Sequence, residues 1–377
     1  MKWNIIFKYI AISLLLTAFA VNRSTASGVV AVAESESEAQ PQAASDDPNI
    51  KDLIFEHIED AYWWHITTVN EHHISVYLPV IVISRTSGPN VFMSSHLEHG
   101  EAYRGFRIAE SGDNKGKIVE LDAAGKEVRP IDLSITKIAF ALIVNSTVML
   151  LIFLPVARWY RRHPRHAAPG GFAGAIEMFV MSVEDDIIKK CIGKDYALYS
   201  PYLLTAFFFI FINNIIGLIP FFPGGANVTG NISITIVLAL CTMLATNLKG
   251  NREYWKEIFW PHVPLWMKVP IPFMPLIEFF GVFSKPFALT IRLFANITAG
   301  HAIAISLTCI IFVTAKMGVA AHTGMSAFAI ILAVFMGLLE ILVAYLQAYV
   351  FTMLSSVFIG LSRAEAHHEK KRKTNNL

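Results

Sequence analysis

Along this chain of 377 residues the apolar positions follow two rhythms, and the change between them falls near residue 131. Before it, apolar residues come in short runs that alternate with polar ones, the period of a half-buried strand. Such runs lie at Trp64–Val69, Ile74–Ser84, Val91–Ser95, Arg104–Ala109 and Lys117–Leu121, divided by the turn signals Ser87-Gly88-Pro89-Asn90 and Asp113-Asn114-Lys115-Gly116. Ahead of them, Ile50, Leu53, Ile54 and Ile58 are spaced for a short amphipathic helix between Asn49 and Tyr62. Residues 49–131 are therefore predicted to form a small β-rich domain.

From residue 132 onward the apolar runs are long. Leu133–Ala157, Tyr202–Phe221 and Ile232–Leu248 each suit a helix that crosses a hydrocarbon core of about 30 Å. Met274–Thr314 and Met325–Leu361 would each exceed about 50 Å as straight helices, so they must be strongly tilted or broken. Between the first two spans, Phe172, Ile176, Phe179, Val180, Val183 and Ile187 share one helical face, with Glu184, Asp185, Lys189 and Lys190 on the other. That pattern reads as an interfacial helix on the membrane surface, or a helix packed on a partner protein. The predicted fold is an all-α polytopic membrane domain over residues 132–362, with five spans and one interfacial helix, preceded by the β-rich domain.

Composition supports the membrane reading: 54% of residues are apolar and 16% charged, against about 45–50% and about 25% in ordinary soluble domains. Mean hydropathy is +0.49. The net charge of +2 says little, but the placement of the cations says more. Arg158, Arg161, Arg162 and Arg165 follow the first span, and Lys249, Arg252 and Lys256 follow the third, which assigns these ends to the cytoplasm. The Pro223-Gly224-Gly225 turn carries no Lys or Arg and belongs outside. Residues 1–27, with Lys2, Lys8, an apolar run from Tyr9 to Val21 and small residues at Ser24-Thr25-Ala26, read as a signal peptide, or else as an uncleaved anchor. Either one exports the β-rich domain. Residues 28–48 are a flexible linker by composition, and residues 363–377 form a basic cytoplasmic tail.

Little in the chain suggests bound cofactors. Cys191, Cys241 and Cys309 lie far apart, and His57, His65, His72, His73, His96 and His99 show no ligand spacing and no acidic cluster to complete a site. No Gly-rich phosphate loop occurs. Neither a metal, a cofactor, a catalytic residue nor a nucleic-acid partner is expected.

The chemistry lies in ionisable groups within the apolar runs. Arg292 is central to Phe-Ala-Leu-Thr-Ile-Arg-Leu-Phe-Ala-Asn-Ile, residues 287–297. A guanidinium cannot shed its charge, and at bilayer depth it costs from about 2.5 to more than 10 kcal/mol. At about 100° per residue, Asn296 shares the face of Arg292, Lys285 and Glu278 fall within about 40° of it, and His301 lies about 180° away. On the last helix Glu340 and Gln347 align. Bland alternatives are an ion pair of Arg292 with Glu340, a static His301–Glu340 pair, helix-helix hydrogen bonding by Asn214, Asn296 and Gln347, and a turn ended or kinked at Lys285-Pro286.

The run Ser284-Lys285-Pro286-Phe287-Ala288-Leu289-Thr290-Ile291-Arg292-Leu293-Phe294-Ala295-Asn296, followed by Ala299-Gly300-His301 and by Tyr345-Leu346-Gln347-Ala348-Tyr349-Val350-Phe351, closely resembles the a subunit of F-type ATP synthases. The resemblance covers about residues 170–362. It implies a tilted two-helix hairpin curved against a rotating c-ring, in a bacterial plasma membrane. It also implies a non-catalytic stator that conducts protons through two half-channels, with the c-ring, the b-subunit stalk, the F1 sector and membrane lipids as partners. Carried onto this sequence, proton translocation falls to Arg292, His301, Glu340, Asn296, Gln347, Asn214 and Glu278. Some family members exchange the acid and the imidazole found here at Glu340 and His301, which leaves the order of proton transfer open. A secondary antiporter or a passive membrane anchor is the other class of reading. The first would call for inverted repeats, and the second would leave Arg292 without a purpose.

Overall fold

The computed structural model describes residues 60–363 except 70–71, 85–87, 101, 110–113, 115, 122–126, 165–166, 220–223, 261–272 and 315–318. The segments read as a signal peptide, a linker and a basic tail, and most of the amphipathic helix expected before Tyr62, lie outside the described residues.

Among the described residues eight strands build the N-terminal domain: β1 Trp63–Val69, β2 His72–Tyr77, β3 Pro79–Ser84, β4 Gly88–Met93, β5 Phe106–Ile108, β6 Ile118–Leu121, β7 Glu127–Val128 and β8 Ile131–Asp132. All pairings are antiparallel, in sheets ordered β1-β2, β4-β3-β8 and β5-β6-β7. Val80, Val82 and Phe92 pack against Leu97, Phe106, Ile118 and Tyr62 to form its core. Two boundaries differ from the sequence pattern. The run predicted from Ile74 to Ser84 divides at Leu78, whose amide and carbonyl both bond Ser94, at 3.0 Å each. Gly88-Pro89-Asn90, predicted as a turn, opens β4 instead, because an edge strand tolerates a proline that cannot donate.

The helical part begins with α1, Lys137–Arg162, capped by Thr136, whose Oγ1 accepts from the Ala139 amide at 3.4 Å. The predicted span started at Leu133. Residues 133–135 stay extended because the Leu133 and Ile135 amides bond the carbonyls of Ile81 (2.8 Å) and Pro79 (3.2 Å), prolonging the β8–β3 ladder. Next come α2 (Gly171–Val183), a π-helical turn over Glu184–Ile188, and α3 (Lys189–Ile192). At Gly193, with φ +74°, the chain turns into α4, Tyr196–Gly217. That positive φ is what a side chain would resist. Phe179 lies fourteen residues before Gly193 and Phe207 fourteen after it, and their rings meet at 5.6 Å. Phe179 also touches Phe208, Phe211 and Tyr345, so α2 and α3 fold back along α4 as a hairpin. The expected interfacial helix is the first arm of that hairpin, and α4 starts earlier than the predicted Tyr202 because the turn at Gly193 precedes it.

Then follow α5 (Ile232–Leu248), capped by Asn231, a short α6 (Arg252–Phe259), and two long helices, α7 (Phe273–Thr314) and α8 (Val319–Arg363). The α7 helix runs 42 residues and continues through Pro286, so Lys285-Pro286 does not end it. Four helical stretches among the described residues are long and apolar enough to cross a membrane, or five if α5 and α6, bent by 101°, count as one broken span. The chain is a multi-pass membrane protein. Its helical core centres on Leu203, Phe207 and Ile210 of α4, with Ile187 and Ile188 of the hairpin, Leu289 and Leu293 of α7 and Ile359 of α8.

The end of α8 is fastened by Arg363, which donates from Nε and Nη2 to Asp195 Oδ2 at 2.9 and 2.5 Å and from Nη1 to Asn251 Oδ1 at 3.1 Å. One guanidinium fork thereby joins the α3–α4 turn, the α5–α6 turn and the last helix.

Candidate functional site

The site is built chiefly on α7 and α8. Arg292 and Asn296 both stand exposed on the surface of α7, one turn apart as their spacing predicts. Among the described residues Arg292 makes no ion pair or hydrogen bond, so the expected alternative of an Arg292–Glu340 pair is not what the structure contains. Glu340 pairs with His301 instead.

His301 Nδ1 lies 3.6 Å from Glu340 Oε1, with side chains only 19% and 15% exposed. That separation is too long for a hydrogen bond but close enough for a charge contact whenever the imidazole is protonated and the carboxylate ionised. The approach depends on Gly300, where a Cβ would stand 3.2 Å from Glu340 Oε1. The other ring nitrogen, Nε2, looks toward α4, 3.9 Å from where a Cβ on Gly217 would be. The imidazole thus has one nitrogen toward the acid and one toward the end of α4.

Beside that end lies Asn214, which is buried and fully engaged in ties. Its Nδ2 donates to the Ala344 carbonyl of α8 at 3.3 Å, and its Oδ1 accepts from Thr229 Oγ1 at 2.5 Å. Thr229 was not singled out by sequence reasoning, although its place in the turn-rich Asn227-Val228-Thr229-Gly230-Asn231 was a usable signal. Gly300 was also passed over as a determinant, though a glycine inside a helix costs about 1 kcal/mol against alanine and often marks a close approach. Gln347 is buried on α8, two turns beyond Glu340, with no hydrogen bond among the described residues.

A second polar cluster gathers near the opposite end of α5. Thr242, Thr246 and Asn247 of α5, Tyr254 of α6 and Lys285 of α7 share there the lining of a cavity of about 20 Å³ with the apolar Ala239, Met243, Val282, Pro286, Leu289 and Phe358. Tyr254 donates to Asn247 Oδ1 at 3.0 Å, and the Lys285 ammonium sits 5.6 Å from the Phe358 ring centre. Glu278, half-buried near the start of α7, is within electrostatic reach of Tyr254. Of these residues only Lys285 and Glu278 stand out in the sequence, as charges within an apolar run. Threonines in an apolar helix give no sign by themselves, since most bond back to their own backbone, as Thr246 does to Thr242 at 2.8 Å.

Arg292 lies between the two clusters along α7, seven residues after Lys285 and nine before His301. At ~1.5 Å per residue those intervals are about 10 Å and about 14 Å. The arrangement is a His301–Glu340 pair and a small cavity lined in part by Lys285, at different heights of one bundle, with a surface-facing cation between them.

Comparisons with known proteins agree on one family. A family model described as ATP synthase A chain matches residues 140–360, more than half of the chain. A second model, described only as a domain of unknown function, matches residues 53–133. The chain is 37% identical over 304 residues to ATP synthase subunit a of Chlorobium phaeobacteroides, covering 77% of this chain and 85% of that protein. It is 40% identical over 247 residues to the subunit a of Chloroherpeton thalassium, covering 64% and 70% respectively. With the subunit a of Myxococcus xanthus it shares 41% identity over 246 residues, 63% of this chain and 76% of that one. On the match across α1 to α8 and on these identities, the chain belongs to the ATP synthase A chain family.

Proposed function

We propose that this chain is the proton-conducting stator subunit of the Fo sector, and that its two polar clusters are the inner ends of two aqueous half-channels facing a c-ring. The observation that carries this reading is the position of Arg292, exposed on α7 between the His301–Glu340 cluster and the Lys285–Tyr254 cavity.

The chemistry follows from desolvation. A rotor carboxylate must be neutral while it faces lipid and must ionise beside the stator. The guanidinium of Arg292 favours the ionised form and so drives proton release, while its charge opposes a direct proton leak between the half-channels. Asn296, one turn away, orients water or supports the guanidinium. His301 and Glu340 relay protons in the outer half-channel, the imidazole passing a proton between its two nitrogens and the carboxylate exchanging it with the imidazole beside it. Asn214 and Gln347 carry no net proton but orient water and support the guanidinium, and Glu278 serves the cytoplasmic path.

The same reading places the β-rich domain and the His301 cluster toward the outside and the Lys285 cavity toward the cytoplasm. A chain with Asn114→Cys should react with an impermeant thiol reagent from the outer face of intact membranes, and one with Asn375→Cys only from the inner face. Within the bundle, Thr229→Cys should be blocked by silver ion applied outside, and Asn247→Cys by silver ion applied inside. Reaction of both bundle cysteines from the same side would sink the two-channel reading.

A further inference from the structure

An antiparallel sheet with one face on a core usually turns polar side chains to water on the other. The β4-β3-β8 sheet does not. While Val80, Val82 and Phe92 point into the core, the outward positions are Ile81, Ile83, Val91, Met93, Ile131 and Leu133. They are in register, with Ile81 opposite Val91 and Ile83 opposite Ile131, and Leu133 is bonded through its amide to the Ile81 carbonyl. Val91 and Ile131 are 63% and 64% exposed. The remaining outward positions of β3 and β4 are Pro79 and Pro89, so no charged or hydrogen-bonding side chain interrupts the face.

Its location narrows the occupant. The β8 ladder runs on to Ile135, and α1 begins two residues later at Lys137. No slack separates sheet from helix. Asp60 accepts from the Ile138 amide at 3.0 Å, the Lys137 amide bonds the Ala61 carbonyl at 2.8 Å, and Trp64 packs edge-on against Phe140. At ~3.4 Å per residue, Leu133 stands within about 14 Å of the first residue of α1. Exposed apolar side chains resume on α1 itself at Ile143 and Leu151.

We propose that the outer face of the β4-β3-β8 sheet rests on the lipid head-group boundary of the leaflet in which α1 begins. An uncharged face fixed rigidly beside the first turn of a membrane span lies within reach of the bilayer surface, and β8 joins it to that helix without a linker. The sheet then lies along the membrane, and the domain is held against it at two points, the α1 junction and this face.

The test uses the assembled complex in vesicles of phosphatidylethanolamine and phosphatidylglycerol, with Cys191, Cys241 and Cys309 replaced. A nitroxide is attached at Val91→Cys or Met93→Cys, and at exposed Ala102→Cys as a reference. The ratio of collision with oxygen, which partitions into lipid, to collision with an aqueous nickel chelate should be several-fold higher at Val91 and Met93 than at Ala102. Equal ratios would mean a face open to water, and exclusion of both agents from Val91 and Met93 would mean a face covered by protein. Either result overturns the proposal.

Discussion

His301 and Glu340 come from different helices, yet Nδ1 of the one lies 3.6 Å from Oε1 of the other in a pocket that leaves both mostly buried. If they form a relay, His301→Ala and Glu340→Ala should each slow ATP-driven proton pumping by about a hundredfold or more, the scale of a lost acid-base group. The exchange of His301→Glu with Glu340→His keeps both titrating groups and should recover part of the rate. Equal loss in the single and exchanged variants would identify a static pair.

Gly300 bears on the same contact. Because a Cβ there would stand 3.2 Å from Glu340 Oε1, Gly300→Ala should displace the carboxylate and lower pumping while the chain still assembles. Gly324→Ala meets nothing within 4 Å and serves as the control. Replacing a helical glycine there should leave pumping unchanged and stabilise α8 by up to about 1 kcal/mol. Similar losses in both would dissociate Gly300 from the pair.

Much of this site was legible in the sequence. Helical periodicity alone put Asn296 on the face of Arg292 and His301 on the opposite one, because a continuous apolar helix leaves the 100° rotation undisturbed. The run Ile232–Leu248 was predicted with the bounds that α5 has. The hairpin of α2 with α4 was not legible, since Gly193 is a single glycine between Ile192 and Lys194 and the pairing of Phe179 with Phe207 is tertiary. Nor was the partner of His301, because periodicity fixes faces within one helix and not the register between two. The outer face of β3 and β4 was hidden for a related reason: Pro-Val-Ile-Val-Ile is apolar at every position, so period two cannot separate inside from outside.

At the far end of α8 the packing leaves no room. A Cβ on Gly360 would overlap the carbonyl of Cys191, a backbone atom that cannot swing aside. Gly360→Ala should therefore separate α8 from α3 at a cost of about 1–3 kcal/mol, read as a lower melting temperature of the detergent-solubilised complex. Unchanged stability would show that the two helices can slide without loss.

In the β-rich domain, Tyr62 donates to Asp132 Oδ2 at 2.5 Å and its oxygen accepts from the Ile118 amide at 3.4 Å. Burial, and then the Asp132 carboxylate, push its phenol well above the ordinary value of 10.0. A raised folded pKa means that the stabilisation is complete below about pH 10 and fades as pH rises further. Tyr62→Phe should cost about 1 kcal/mol near neutrality and remove that alkaline decline. Phenolate absorbance from Tyr62 at pH 10 in the folded protein would contradict the assignment.

Everything proposed for ion conduction depends on one exposed, uncancelled charge, and Arg292 can be removed without breaking a hydrogen bond or ion pair among the described residues. The decisive measurement is ATP-driven proton pumping, together with passive proton permeability, in vesicles carrying the assembled complex with Arg292→Ala or Arg292→Lys. Pumping should vanish in both, since a lysine can lose its proton when desolvated and lacks the planar fork, and the Ala variant should also leak protons. Wild-type pumping by the fully assembled Arg292→Ala complex would contradict the account.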